Sequence, residues 1–222
     1  MRDQMLKIDL HTHAGKDRDH ALAYSPRQLI DRTAKLGYDI LSITNHETLT
    51  FSKDIKDYAK KRGILLIPGI EKRIENKEVI ILNADKKAEN LRTFRDLKRY
   101  RETKDVFVMA PHPFYPDPKA LHSRLAENIE LFDSIEFSHF YLSWWTFNSR
   151  AAEIAEKHRL PLIGTSDCHM FEQLNRTYTL AESEKNIQSL FESLRKRKIK
   201  LVTEPLGLIE AIRIITALYL KY

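Results

Sequence analysis

Six short apolar runs in this chain stop on a histidine or a carboxylate, and that recurrence limits the fold more than any other feature. Leu10 runs into His11 and His13, Thr44 into His46, Ile70 into Glu71, Ala110 into His112, Ser138 into His139, and Thr165 into Asp167 and His169. The runs are rich in Ile, Val and Leu and alternate with longer amphipathic segments, the pattern of strands covered by helices. If the sheet closes on itself, the carboxyl ends of its strands converge on a single mouth and all these polar residues meet there. An open sheet would spread them along an edge. The expected class is therefore α/β, a barrel laid down from parallel strands.

Strands are expected at 5–10, 40–44, 64–70, 79–83, 106–110, 134–138, 162–165 and 178–181. Helices are expected at 26–36, where Pro26 follows Ser25 and Gly37 closes the segment, and at 53–62, between Ser52 and Gly63. Further helices are expected at 88–101, 119–132, 146–158 and 184–198, with a C-terminal helix at about 205–221. At 222 residues and 42% hydrophobic, with no repeat or Pro/Gly linker, the chain 1–222 reads as one domain. Segment 206–220 is interrupted by Glu210 and Arg213 and is shorter than the ~20 residues a spanning helix needs. It is expected to pack as a terminal helix and not to cross a membrane. Its Leu208, Ile212, Ile215 and Leu218 have the spacing of an oligomer contact or a membrane-surface helix as the alternative. The single cysteine, Cys168, excludes an internal disulfide. With a charged N-terminus lacking the marks of a secretory signal, this makes the expected location cytoplasmic. The net charge of +6 is interspersed among acidic residues and favours anionic partners only weakly.

In His11-x-His13, residues i and i+2 of a strand share a face, so both imidazoles can reach one ion. Imidazole and carboxylate together suit zinc, manganese and iron, and Glu71 and Asp167 are the carboxylates placed to join or bridge such ions. Of nine histidines, only His122 and His158 fall inside expected helices, where packing or surface roles are the ordinary reading. Asp9 is expected to hydrogen-bond to a ligand histidine.

The ordered segments Asp9-Leu10-His11-Thr12-His13, Ile43-Thr44-Asn45-His46, Gly69-Ile70-Glu71, Ala110-Pro111-His112-Pro113 and Thr165-Ser166-Asp167-Cys168-His169 resemble the polymerase and histidinol phosphatase (PHP) domain family. The resemblance spans most of the chain. It implies a distorted seven-stranded, TIM-like β/α barrel in a single domain, with two or three divalent ions (Mn, Fe or Zn) and phosphoesterase activity. Carried onto this sequence, it implies that His11, His13, Glu71 and Asp167 hold one ion, with Glu71 bridging to a second held by His112 and His139, and that His20, His46 and His169 hold a third. Asn45 departs from the Asp usual in the family beside His46, which bears on the third site.

The function these readings imply is hydrolysis of a phosphate mono- or diester by a metal-bridging hydroxide, with Glu71, Asp167 and His169 as catalytic residues. Cys168 is expected to be a packed residue and not a nucleophile. Among the cations near the ligand-bearing loops (Lys16, Arg18, Lys72, Arg73, Arg150 and Arg176), Arg73 and Arg176 are chosen to meet the substrate phosphate. Phe114, Tyr115, Trp144 and Trp145 flank His112 and His139, placed either to stack on a substrate or to pack helix against barrel. A small phosphorylated metabolite or nucleotide is favoured over nucleic acid. The alternatives are an oligonucleotide exonuclease of the same family, an amidohydrolase-type metal hydrolase, which would want a bridging lysine, and a non-catalytic PHP binding module.

Overall fold

The computed structural model describes residues 5–219, with side chains as far as Thr216. Among the described residues, nine strands form one sheet: β1 (Met5–Thr12), β2 (Ile40–Ile43), β3 (Leu65–Ile74), β4 (Lys77–Leu82), β5 (Phe107–Ala110), β6 (Ser134–Ser138), β7 (Leu162–Thr165), β8 (Tyr178–Glu182) and β9 (Ile199–Val202). The helices are α1 (Pro26–Lys35), α2 (Lys53–Lys61), α3 (Phe94–Thr103), α4 (Ser123–Glu127), α5 (Asn148–Lys157), α6 (Ile187–Arg195) and α7 (Leu208–Tyr219). The strand order is β7-β6-β5-β4-β3-β2-β1-β8-β9, and the sheet curls until its two sides meet. There, Thr179 Oγ1 on β8 accepts from Gly164 N at 2.9 Å and donates to Gly164 O at 3.0 Å, while Thr12 and Cys168 form a parallel bridge. Gly164 permits this approach, because a Cβ there would run into Leu201 and Thr177.

The barrel-like α/β class is as expected, and β1–β2–β3 and β5–β6–β7 pair parallel, but the count of seven strands and the parallel direction of the other pairs are corrected. β3 and β4 are antiparallel, as are β4 and β5, β1 and β8, and β8 and β9. Glu75 and Asn76, both at positive φ (50° and 61°), reverse the chain between β3 and β4, and so short a link can join only antiparallel neighbours. β9 was not expected. It is four partly exposed residues following the basic end of α6.

Local chemistry sets the helix starts. Ser25 and Gln28 form a capping box with Pro26 in the first turn of α1, and Ser52 and Asn186 cap α2 and α6. Helix α3 begins at Phe94 and not at 88, since Thr93 and Asp96 form their own capping box and Lys86–Asn90 is a separate 3-10 turn. The single helix expected at 119–132 is instead α4 plus a 3-10 turn at Ile129–Leu131. Asn128 Nδ2 bonds Arg124 O at 3.0 Å, taking up a carbonyl that a continuing helix would use.

One apolar cluster joins Leu6, Ile8, Leu10, Ile40, Ile67, Ile80, Phe107 and Met109 to Leu190, Phe191 and Leu194 of α6. Two others lie under α1 with α2 and under α3 with α5. α7 docks through Ala211 and Ile214 on Leu142 and Leu206, leaving Leu208, Ile209, Ile212 and Ile215 exposed. Of the helix expected at about 205–221, residues 220 and 221 and the side chain of Leu218 lie outside what is described. Among the described residues, no helix is long and apolar enough to cross a membrane.

Candidate metal centre

The strand ends bring four ligand-type atoms almost into mutual contact. His11 Nε2 lies 3.1 Å from His13 Nε2, 3.2 Å from Glu71 Oε2 and 3.2 Å from Asp167 Oδ1. His13 Nε2 lies 3.3 Å from Glu71 Oε2 and 3.2 Å from Asp167 Oδ1. Four donors about 2.0–2.1 Å from a tetrahedral ion sit ~3.3 Å apart, so this spacing is that of a coordination shell. Around it, His46 Nε2 is 3.2 Å from the same Glu71 oxygen, and His112 Nε2 is 3.5 Å from Glu71 Oε1. Buried Glu71 Oε1, Asp167 Oδ1, His139 Nδ1 and His169 Nε2 have no hydrogen-bond partner. Orphaned buried polar atoms are rare, and cations held among these side chains would give them partners. The residues present fit divalent cations.

The groupings differ in part from those expected. His13, His46 and His169 offer one set of converging nitrogens, while Glu71, Glu78 and His112 form a neighbouring set. His20 stands beside the former, its ring 4.5 Å from that of His169. His139 Nε2 accepts from Gln173 Nε2 at 2.9 Å, leaving only Nδ1 open. The backbone is strained where the ligands turn inward: φ is 24° at His112 and 44° at Asp167. The register of β1 against β2 slips between Asp9 and Thr12, an irregularity of the kind that re-aims side chains beside active sites.

Several supporting residues escaped sequence reasoning. Glu136 on β6 pairs with His11 Nδ1 at 2.8 Å and accepts from His112 N at 2.5 Å. Asp17 contacts His13 Nδ1 at 3.2 Å and His46 Nδ1 at 3.0 Å, fixing both rings. Glu78, buried near the start of β4, lies outside the pattern of polar strand ends because β4 runs antiparallel to β3 and brings its first residues, not its last, beside the site. Asp9 is corrected: its Oδ1 accepts from the backbone of His11 (3.4 Å) and of Ser166 (3.2 Å), and from no imidazole. Asn45 clasps the neighbouring loop, accepting from Ala14 N at 2.9 Å and donating to Ala14 O at 2.7 Å, a job that needs an amide and no charge.

The proton affinities show how much negative charge converges here. Burial alone would lower His11, His46 and His112, yet the surrounding carboxylates hold His11 well above its ordinary value, His46 at about 9 and His112 at about 10. Burial would raise Glu71 and Asp167, but the imidazoles keep both well below the usual carboxylate range. Burial lowers His169 well below its ordinary value and His139 to about 4.

A cavity of about 480 Å³ opens over this cluster, within the range of small-ligand sites. His20, His46, Glu71, His112, His139, Asp167 and His169 line it, with Lys119 at its edge. Arg73 pairs with Asp19 and lies 3.8 Å from Glu78, beside the cavity. Arg176 is paired with Glu210 of α7, and neither Arg73 nor Arg176 is part of the lining. Lys72 is wholly buried with Nζ 2.6 Å from Glu47, so the lysine next to Glu71 faces a carboxylate and not the imidazoles. Arg18 lies 3.7 Å from Glu47, and Arg150 covers the Phe114 ring. Cys168 is buried against the Tyr24 hydroxyl, and burial pushes its thiol far up, which suits a packed residue. Of the flanking aromatics, Tyr115 and Trp145 line the cavity, Phe114 packs into the core and Trp144 is exposed.

Residues 145–199 match the PHP-associated family. An uncharacterized protein of Methanocaldococcus jannaschii is 27% identical over 143 residues, covering 58% of this chain and 82% of its own. A two-domain protein of Bacteroides vulgatus containing a predicted PHP-like metal-dependent phosphoesterase superposes with a TM-score of 0.70 at 22% identity, over 95% of this chain and 68% of that one. The lesion-specific endonuclease Q of Pyrococcus furiosus superposes with a TM-score of 0.64 at 14% identity, over 95% of this chain and 66% of that one. At these identities the two structural likenesses establish the fold.

Proposed function

We propose that the chain belongs to the PHP domain family, whose PHP-associated model matches residues 145–199, and that residues 1–222 form a metal-dependent phosphoesterase unit that hydrolyses a phosphate mono- or diester of a small molecule. The observation that carries this reading is the five contacts of 3.1–3.3 Å among His11, His13, Glu71 and Asp167 beneath an open cavity. In it, these four residues hold one cation, and Glu71 leans through its other oxygen toward His112 and a second. His13, His46 and His169, with His20 beside them, hold a third. When bound, such cations acidify water toward neutrality and stabilise phosphoryl oxygens.

The chain's own residues do the rest. Glu136 and Asp17 orient the histidines from behind, so that the imidazoles are fixed before substrate arrives. Lys119 supplies positive charge in the cavity lining, with Arg73 behind it on the same Asp19, which lies 3.0 Å from Lys119 Nζ. His20, with its proton affinity lowered by burial and by His46 and His13, is neutral near pH 7, the form in which an imidazole can join a cation. An amidohydrolase-type site is disfavoured because Lys72 is engaged by Glu47.

The test is a phosphate-release screen across nucleotides, sugar phosphates and short oligonucleotides, with manganese, zinc or iron supplied, alongside lactones and amides. Phosphate release abolished by Asp167→Asn supports the reading. Turnover of lactones or amides alone, or of nothing while cations bind, overturns it.

A further inference from the structure

The cavity has two unlike walls. Beside the imidazoles and carboxylates, the lining includes Tyr115, Phe140, Trp145, Phe147, Ile214 and Ile215, a largely apolar surface. Three of its rings continue from the mouth toward the metal centre. Trp145 packs edge-on to Phe147 at 4.5 Å, Phe147 lies 5.1 Å from Tyr115, and Tyr115 lies 6.0 Å from the ring of His112. The row is fixed from several sides. The Tyr115 hydroxyl donates to Phe140 O, and Leu142 and Trp145 close a small hairpin through bonds of 2.8 and 3.2 Å. On the far lip, α7 is moored by Leu206 N to Tyr141 O at 2.8 Å, by the Glu210–Arg176 pair, and by Ala211 and Ile214 in their own apolar cluster. That mooring delivers Ile214 and Ile215 to the cavity. Trp145 stays 41% exposed and Ile215 45% exposed, so these two side chains are not consumed by packing helix against barrel.

We propose that this wall selects the leaving group: the preferred substrate is a phosphate ester whose alcohol carries a flat aromatic group, which lies against Trp145 and Phe147 under Ile215 while the phosphate rests on the metal centre. The inference rests on the phosphoesterase reading and narrows its substrate class. An aromatic ring gains from offset or edge contact with other rings beyond the area it buries, and every nucleobase or aryl group has such a face. An apolar chain or bare sugar gains less from this wall, and a sugar's hydroxyls would lose water there without finding partners.

The experiment compares esters matched in leaving-group chemistry, so that only the ring differs: 2-phenylethyl phosphate against ethyl phosphate, and adenosine 5′-monophosphate against ribose 5-phosphate. A kcat/KM advantage of about ten- to a hundredfold for the ring-bearing member is expected in at least one pair. Trp145→Ala and Ile215→Ser are expected to pull that ratio toward one, and Trp145→Phe to keep most of it. Equal kcat/KM within each pair, or a ratio that Trp145→Ala leaves untouched, overturns the proposal while leaving the phosphoesterase reading standing. Calorimetric binding of benzylphosphonate and methylphosphonate separates the two failures. Tighter binding of the benzyl compound, lost in Trp145→Ala, supports the wall even if no ester is turned over, and equal binding counts against it.

Discussion

Glu136 reaches the His11 ring with one oxygen and the His112 backbone with the other, so a single carboxylate orients residues from two strand ends. Glu136→Gln is expected to weaken metal affinity by about 10- to 100-fold with the fold retained, as carboxylates behind ligand histidines do. Competition with a chelator checks this, and an unchanged affinity would remove Glu136 from the account. The proton affinities give a second expectation. His46 and His112 are raised to about 9 and about 10, so what they add to the stability of the metal-free protein is complete below their unfolded value of ~6.5 and is lost as pH rises through 9 and 10. The denaturation midpoint of metal-free protein is therefore expected to fall between about pH 6.5 and 10. Saturating cation should remove that fall, because metal-bound imidazole is neutral, and should move the sensitivity to acid, where protons displace the metal. His11, His13, His46, Glu71, His112, His139, Asp167 and His169 could be singled out in the sequence because each follows an apolar run, whereas His20 follows the charged segment 16–19 and was implied only by the family resemblance. Glu136 was not singled out, although Ser134, Glu136 and Ser138 alternate with Ile135 and Phe137 and so mark a polar face that belongs inside the barrel mouth.

Strand positions could be read from apolar runs because buried β-residues are apolar wherever they pair, but direction could not. The β3–β4 hairpin left one trace, two strand segments with no helix between them, and its turn lacks the glycine that usually announces such a reversal. Helix 119–132 was over-read because amphipathic spacing says nothing of Asn128 bonding back to Arg124 O. Barrel closure at β7 depends on an absent side chain. Gly164→Val is expected to force Leu201 and Thr177 aside and to destabilise by about 1–3 kcal/mol, read from the shift in urea midpoint. A shift near zero would mean that β7 and β8 part without cost. The cap of α3 gives a smaller, cleaner expectation: Thr93→Ala should destabilise by about 1 kcal/mol and leave metal binding alone.

At the scale of the whole molecule, a nearly closed sheet gathers side chains from positions 11 to 169 over one mouth, which no local pattern could show by itself. Convergence was inferred from repetition at strand ends, and the apolar wall beside it was beyond reach because α7 returns to the mouth only after the last strand. What the account requires above all is that cations occupy this convergence. Elemental analysis of protein equilibrated with manganese, zinc or iron and then desalted tests it most directly. The account predicts about two or three ions per chain, falling in a protein that carries both His13→Ala and Asp167→Asn while its circular dichroism is preserved. Less than about one ion per chain under every metal, or a content indifferent to those two substitutions, would contradict it.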